Sequence, residues 1–402
     1  MSEWEQTTLG CLFSVDNTKL GPHVEEPTIM SLSKYEGFVR ADDYFDKRIA
    51  SLKLDGYKVV QPGAWAFSTI HIDEGSIARN NLGEPGAISP MYTTMRFVAT
   101  DCMPEYAELL VRHPGMLAEY SRRAQGSVNR RRSLSFKAFA EIEIALPPPE
   151  AQRRIVDVME AVDAQIDALA AEAKAARALL RARRSELLVR ESATIPVKKA
   201  FSVLMGRQRA PQHATGRYMT NYLRSANVGD GVLHLADIKQ MNFNPDERAK
   251  FGLRMGDVLV SEGSASAAAV GLSAVWRGEI EDPVCFQKTL LRFRAIDGVS
   301  TAAFTNHWCQ WAFESGTFLD ISSGTNIKHI TAVRVLEVPV ALPGVEEQSA
   351  IADELDRLET QHTAVRDELA HLRSFRSVLL ASLLSGEIEI PESYDALLEK
   401  VS

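Results

Sequence analysis

The chain has 402 residues, with 45 Lys and Arg against 53 Asp and Glu, a formal net charge of −8, 45% hydrophobic and 24% charged residues. That length exceeds one ordinary core and predicts several domains, and the composition excludes a disordered chain. No apolar run approaches the ~18 residues of a membrane span, and the start, MSEWEQTTLG, lacks the basic and apolar parts of a signal peptide, so the sequence reads as cytoplasmic with no membrane partner.

Along the chain, the first domain is expected over residues 1–146. FSV at 13–15 and YTTMRF at 92–97 read as strands, and QPGAWAF at 61–67 reads as a turn glycine leading into a buried strand. RRAQGSVNRR at 122–131 is a polar, glycine-containing loop carrying part of a basic cluster. LPPPEAQRRI at 146–155 then opens a helix expected over 147–192. Pro148 or Pro149 suits a first helical turn, where the missing N–H costs nothing, and Glu150 complements the positive helix end. Ile155, Met159, Val162, Ile166, Leu169, Ala173, Ala176, Leu180 and Leu187 alternate in steps of four and three, broken only at Arg183, which is a heptad seam.

The plan then repeats. A second domain is expected over 193–342, with FSV again at 201–203, RMGDVLV at 254–260 in place of QPGAWAF, KTLLRF at 288–293 in place of YTTMRF, and DISSGTNIKH at 320–329 as the matching loop. LPGVEEQSAI at 342–351 repeats the helix start at an offset of 196 residues and opens a second helix expected over 343–390, before a tail at 391–402. Its seam runs Ile351, Leu355, Leu358, Val365, Leu369, Leu372, Leu379 and Leu383, interrupted at His362 and Arg376. A common order of matches points to duplication. Each helix should run about 40 residues, or roughly 60 Å. The first is acidic at its start and basic at its end, and the second is acidic at its start, so antiparallel packing sets opposite charges side by side. The expected fold class is α+β: two tandem mixed α/β domains, each followed by a long helix, the helices paired as an antiparallel coiled coil with pseudo-twofold symmetry.

Charge is unevenly spread. Residues 344–402 hold 13 acidic and 5 basic side chains, and residues 196–254 hold 10 basic and 4 acidic ones, so basic patches exist within an acidic chain. Enzyme signatures are missing. There is no phosphate-binding Gly-x-x-x-x-Gly-Lys loop, no Gly-x-Ser-x-Gly elbow and no His-Glu-x-x-His helix. The nine histidines show no ligand spacing, with His71, His213 and His307 read as structural or solvated. Cys11, Cys102, Cys285 and Cys309 are scattered and read as buried reduced thiols. No catalytic residue and no metal ligand is expected.

With LPPPEAQRRIVDVMEAVDAQIDAL and LPGVEEQSAIADELDRLETQHTAV, followed by LLASLLSGEIEI, the chain resembles the specificity subunit of type I restriction-modification enzymes over nearly its whole length. The resemblance implies two target-recognition domains, a non-catalytic role in reading two half-sites in double-stranded DNA across a fixed spacer, and two methyltransferase (modification) subunits and restriction/translocase subunits as partners in phage defence. It implies that this chain binds no cofactor, with S-adenosylmethionine, ATP and Mg held by the partner subunits. The motifs depart from the family pattern at Ala151, where Glu is usual, and at Gly344, which replaces the second proline, while Gln152 and Gln348 are kept. A coiled-coil protein-protein adaptor in a defence complex is the alternative.

Base edges need bidentate donors and acceptors, and phosphates need cations. The expected DNA contacts in the first domain are Lys34, Arg40, Arg79, Asn80 and Asn81, with Ser127, Asn129, Arg130 and Arg131 in its glycine loop. In the second they are Arg207, Gln208, Arg209, Gln212, Arg217, Arg224, Ser264 and Ser266, with Thr325, Asn326 and Lys328 in the matching loop. Arg96 and Arg292, each before a phenylalanine, read as strand residues in structural salt bridges.

Overall fold

A computed structural model describes residues 4–20, 27–44, 54, 56–126, 132–189, 193–264, 266–281, 283–325 and 327–395. The chain divides into two compact units, Met1–Ala168 with Leu369–Ser402, and Leu169–Glu368. Both long helices therefore contribute one half to each unit.

The first helix runs Pro149–Leu188 and the second Val345–Leu384, 40 residues each. Pro149 opens the first, and the second has Glu346 and Glu347 in its first turn. Both end short of the expected 192 and 390. The second stops at a Ser385–Gly386 turn, where Gly386 takes a φ of 71°.

In the first unit, the start of the first helix packs against the end of the second. Ile155, Val156 and Met159 share a core with Leu380 and Leu383, and Arg376 donates to Asp163 across the seam at 2.7 Å. In the second unit the roles exchange. Leu180 and Leu188 pack with Ile351 and Leu355, and Arg183 pairs with Glu354 at 2.5 Å. The helix halves thus lie antiparallel in each unit, with opposite charges facing as the sequence predicts. Arg376 interrupts the apolar seam because it answers Asp163.

Each unit is built on one four-stranded antiparallel sheet. In the first, the order is Phe13–Val15, Tyr92–Phe97, Trp65–Ser68, Ile77–Arg79. In the second it is Phe201–Met205, Leu290–Ala295, Val258–Ser261, Ser273–Val275. Gly63 and Gly256, with φ of 78° and 88°, make the left-handed turn that sends the chain into the buried central strand of each sheet. Trp65 pairs with Met95, and Val258 pairs with Phe293. The equivalent of Met95 is therefore Phe293, not Leu291 as the YTTMRF and KTLLRF match suggests. A shift of two residues preserves which side chains face inward, so pattern alone cannot detect it.

Arg96 pairs with Asp16 at 3.4 Å as expected. Arg292 does not carry the second salt bridge. It is buried, donates to the Lys250 and Gly252 carbonyls, and is pushed down to about 10 by desolvation, while Arg294 pairs with Asp257 at 2.6 Å.

The helix-opening glutamines explain the repeated motif. Gln152 is fully buried; its Nε2 donates to the Asp101 and Pro147 carbonyls, both at 2.9 Å, and its Oε1 accepts from the Met103 N–H at 2.8 Å. Gln348 repeats this with the Val299 and Pro343 carbonyls at 2.9 and 2.8 Å and the Thr301 N–H at 2.9 Å. Ala151 and Gly344 take no part in these bonds, so the departures from the family motif leave this joint intact.

Among the described residues no helix is long and apolar enough to cross a membrane. Replacing Gln348 by Leu strands two carbonyls and one N–H inside the second unit and should cost about 2 to 5 kcal/mol, read as a lower urea midpoint. An unchanged midpoint contradicts the role given to this amide.

Candidate nucleic-acid interface

In the first unit most of the expected contacts are already engaged. Lys34 sits on the turn between strands Met30–Ser33 and Gly37–Arg40, 3.4 Å from Glu74 and 5.2 Å from the Tyr35 ring. Arg40 pairs with Glu84 at 2.7 Å. Arg79 and Asn81 reach Glu105 and Glu108 on the helix Pro104–Val111, at 2.7 and 2.9 Å. Burial pushes the Glu108 carboxyl up, and the Asn81 amide offsets part of that cost. Asn80 is 1% exposed and donates to the carbonyls of Val60, Gln61 and Glu84. Its amide protons hold a turn and leave none for a base edge.

Ser127, Asn129, Arg130 and Arg131 lie outside the described residues, but the ends of their loop are placed. Gln125 and Ser133 exchange two backbone hydrogen bonds of 3.0 and 2.9 Å, and Leu134 N–H donates to Thr69 at the exit of the central strand. Arg132 turns back to the Ser121 and Ala124 carbonyls at 2.7 and 2.8 Å, capping the helix Pro114–Arg123.

The second unit repeats the loop closure. Ser323 and His329 exchange backbone bonds of 3.0 and 2.8 Å, and Ile330 N–H donates to Glu262 at 2.7 Å. Gly126 and Gly324 take φ of 137° and 115° at matching positions. Here the structure brings Ser264, Ser266 and Lys328 together, while Asn326 lies outside the described residues. Gly263–Ser264 pairs with Lys328–His329, with Ser264 opposite Lys328. Ser264 Oγ accepts from the Ser266 N–H at 3.1 Å, and Thr325 is exposed nearby in sequence on the same loop.

The rim continues from there. Glu262 N–H donates to the Thr289 carbonyl at 2.9 Å, and Lys288 reaches Gln208 at 3.4 Å. Arg209, Gln212 and Arg217 are exposed on residues 208–217, with Arg217 lying 5.6 Å from the Tyr218 ring. Two expected contacts are engaged by carboxylates instead. Arg207 is 9% exposed, pairs with Glu247 at 2.6 Å and lies 5.0 Å from the Phe243 ring. Arg224 pairs with Asp237 at 2.6 Å. Sequence reasoning missed Lys288, Glu262 and His329. Lys288 was in view as the first residue of KTLLRF, whereas Glu262 and His329 meet only through the fold.

His307 is buried and its Nε2 stands 2.9 Å from Asp356, whose carboxyl is lowered by that hydrogen bond. With Glu359 these donor atoms lie within 4.8 Å of one another. His307 Nδ1 has no partner among the described residues. A metal on Nε2 would force a proton onto that buried, unanswered nitrogen, so the arrangement reads as a His–Asp pair.

Residues 121–176, holding the first glycine loop, the strand Glu143–Leu146 and the first long helix up to residue 176, match the model of the type I restriction modification DNA specificity domain. Over these residues the chain is similar to a type I restriction modification DNA specificity domain. In sequence it is similar to the StySPI specificity subunit of a type I restriction enzyme from Salmonella potsdam, 24% identical over 205 residues, 49% of this chain and 43% of that relative. The match thus spans less than half of the relative's length. In fold it is similar to a chain from the structure on complex assembly and conformational transition of the type I R-M system, with a TM-score of 0.63, 18% identity, and coverage of 96% and 98%. The S subunit of the type I system from M. genitalium shares the fold with a TM-score of 0.51, 11% identity, and coverage of 95% and 96%. The specificity-domain match includes Gln152 and Pro147, while the other two partners of the buried amide, Asp101 and Met103, precede it.

The cysteines correct one expectation. Cys102, Cys285 and Cys309 are buried, the first two pushed up to about 12 by desolvation, but Cys11 is exposed and its thiol is lowered by hydrogen bonds from Thr7 and Thr8. Alkylation of the native chain near neutral pH should modify Cys11 alone; labelling of Cys102 or Cys285 without denaturant contradicts their placement.

Proposed function

We propose that the chain is the DNA sequence-specificity subunit of a cytoplasmic type I restriction-modification complex. It reads a bipartite site in double-stranded DNA, one half with each target-recognition domain, and has no catalysis of its own. Two modification subunits and restriction/translocase subunits supply the chemistry, with S-adenosylmethionine, ATP and Mg in their sites. One observation carries this reading. In both units, ahead of a long helix, a glycine loop closed by the same pair of backbone bonds sits at the exit of the central strand of the same sheet. A domain match for DNA specificity covers the first of these loops.

The proposed contacts in the second unit are Arg209, Gln212, Arg217, Ser264, Ser266, Thr325 and Lys328, with Asn326 between the last two and Lys288 added. In the first, Ser127, Asn129, Arg130 and Arg131 carry the reading, while Lys34, Arg40, Arg79 and Asn81 contribute only by exchanging their carboxylate partners for DNA. The helices set the gap between half-sites.

Phosphate contacts release counterions, so affinity for duplex DNA should fall by about 0.9 log unit per log unit of salt for each phosphate neutralised. Replacing Arg209, Arg217 and Lys288 by Ala should flatten that slope by about 2 to 3 units across all sequences. A wild-type chain whose DNA affinity ignores salt would point to the protein adaptor instead.

A further inference from the structure

We infer that His329 is the residue that selects a base for the second unit, and that Glu262 is the positioning residue behind it; this rests on the DNA-reading role proposed above. Three constraints fix the His329 ring. Glu262 Oε2 lies 3.1 Å from Nδ1. Gly263 stands opposite His329 in the two-residue ladder, and a Cβ on it would come within 2.5 Å of Nδ1, so the ring rests against bare backbone that only glycine leaves open. On the other edge, the His329 backbone is bonded twice to Ser323.

A surface imidazole ordinarily turns freely between rotamers; this one is held in place while its side chain stays 48% exposed and that of Glu262 only 13%. The carboxylate also decides the tautomer. It can only accept, so in the neutral ring Nδ1 carries the proton and Nε2 presents a lone pair, which meets no partner among the described residues. Phosphate oxygens are acceptors and give that atom nothing. The exocyclic amines of adenine and cytosine, both displayed in the major groove, donate to it. Lys328 and Ser264, paired across the adjacent register, flank the ring with a cation and a hydroxyl suited to the backbone beside the base. A carboxylate at a phosphate-facing rim opposes DNA binding unless it serves another group there, and the group it serves is the imidazole.

The test is selection of bound duplexes from a pool with randomised positions, using the full chain and its His329→Ala, Glu262→Ala and Lys328→Ala variants, with a thermal midpoint for each. Wild type should prefer adenine or cytosine at one position. His329→Ala should relax that position alone by about tenfold. Glu262→Ala should broaden the same position, and Lys328→Ala should weaken all sequences alike. A folded His329→Ala chain that keeps every preference, or loses affinity uniformly, overturns the inference. Should His329→Ala fail to fold, Glu262→Ala decides in the same way. Wild type binding all duplexes equally overturns the DNA-reading role itself.

Discussion

A buried amide, bonded to backbone through both its N–H groups and its oxygen, ties each long helix to its unit. Gln152 and Gln348 each tie three backbone segments: the chain leaving the sheet, the proline turn before the long helix, and the helix itself. Because all three bonds are made by a buried side chain, a tilt of the helix against its sheet leaves a polar group unsatisfied. The apolar contacts that follow, from Ile155 and Met159 in one unit and Ile351 and Leu355 in the other, then pack on a helix whose entry is already set. The proline before each glutamine contributes its carbonyl to the joint, which is why the motif recurs as a block.

A fixed helix entry has value only if something else must be held relative to it. In each unit that is the rim at the exit of the central strand, where the glycine loop closes. The division of labour within the second unit is clear in its side chains. Arg207 and Arg292 are buried and brace the frame, while Arg209, Lys288 and Lys328 are left on the rim. A specificity protein needs both: cations that bind any duplex, and a few immobile donors and acceptors that bind only some.

The helices and the duplication were legible in the sequence because heptad spacing, proline starts and charge halves are local signals. The strand match failed by two residues at Met95 and Phe293, since a shift of two keeps the inward pattern. Residue types misled most at Asn80 and Arg207, which look like base-reading side chains but are consumed by carbonyls, by Glu247 and by an aromatic face. Arg79 and Asn81 look free in sequence, yet the helix Pro104–Val111 brings Glu105 and Glu108 to them. Nothing in the sequence marks Glu262 and His329 as partners; they are 67 residues apart and meet through a ladder of two residues on each side.

In the function proposed above, the two halves of this chain read DNA separately across a gap set by the helices. This is tested most directly by mapping methylated bases in cells that produce the chain with a modification subunit, before and after residues 193–342 are exchanged for those of a relative. The account predicts a split motif in which one half changes while the other half and the gap stay the same. A change in both halves, or a motif indifferent to the exchange, contradicts it.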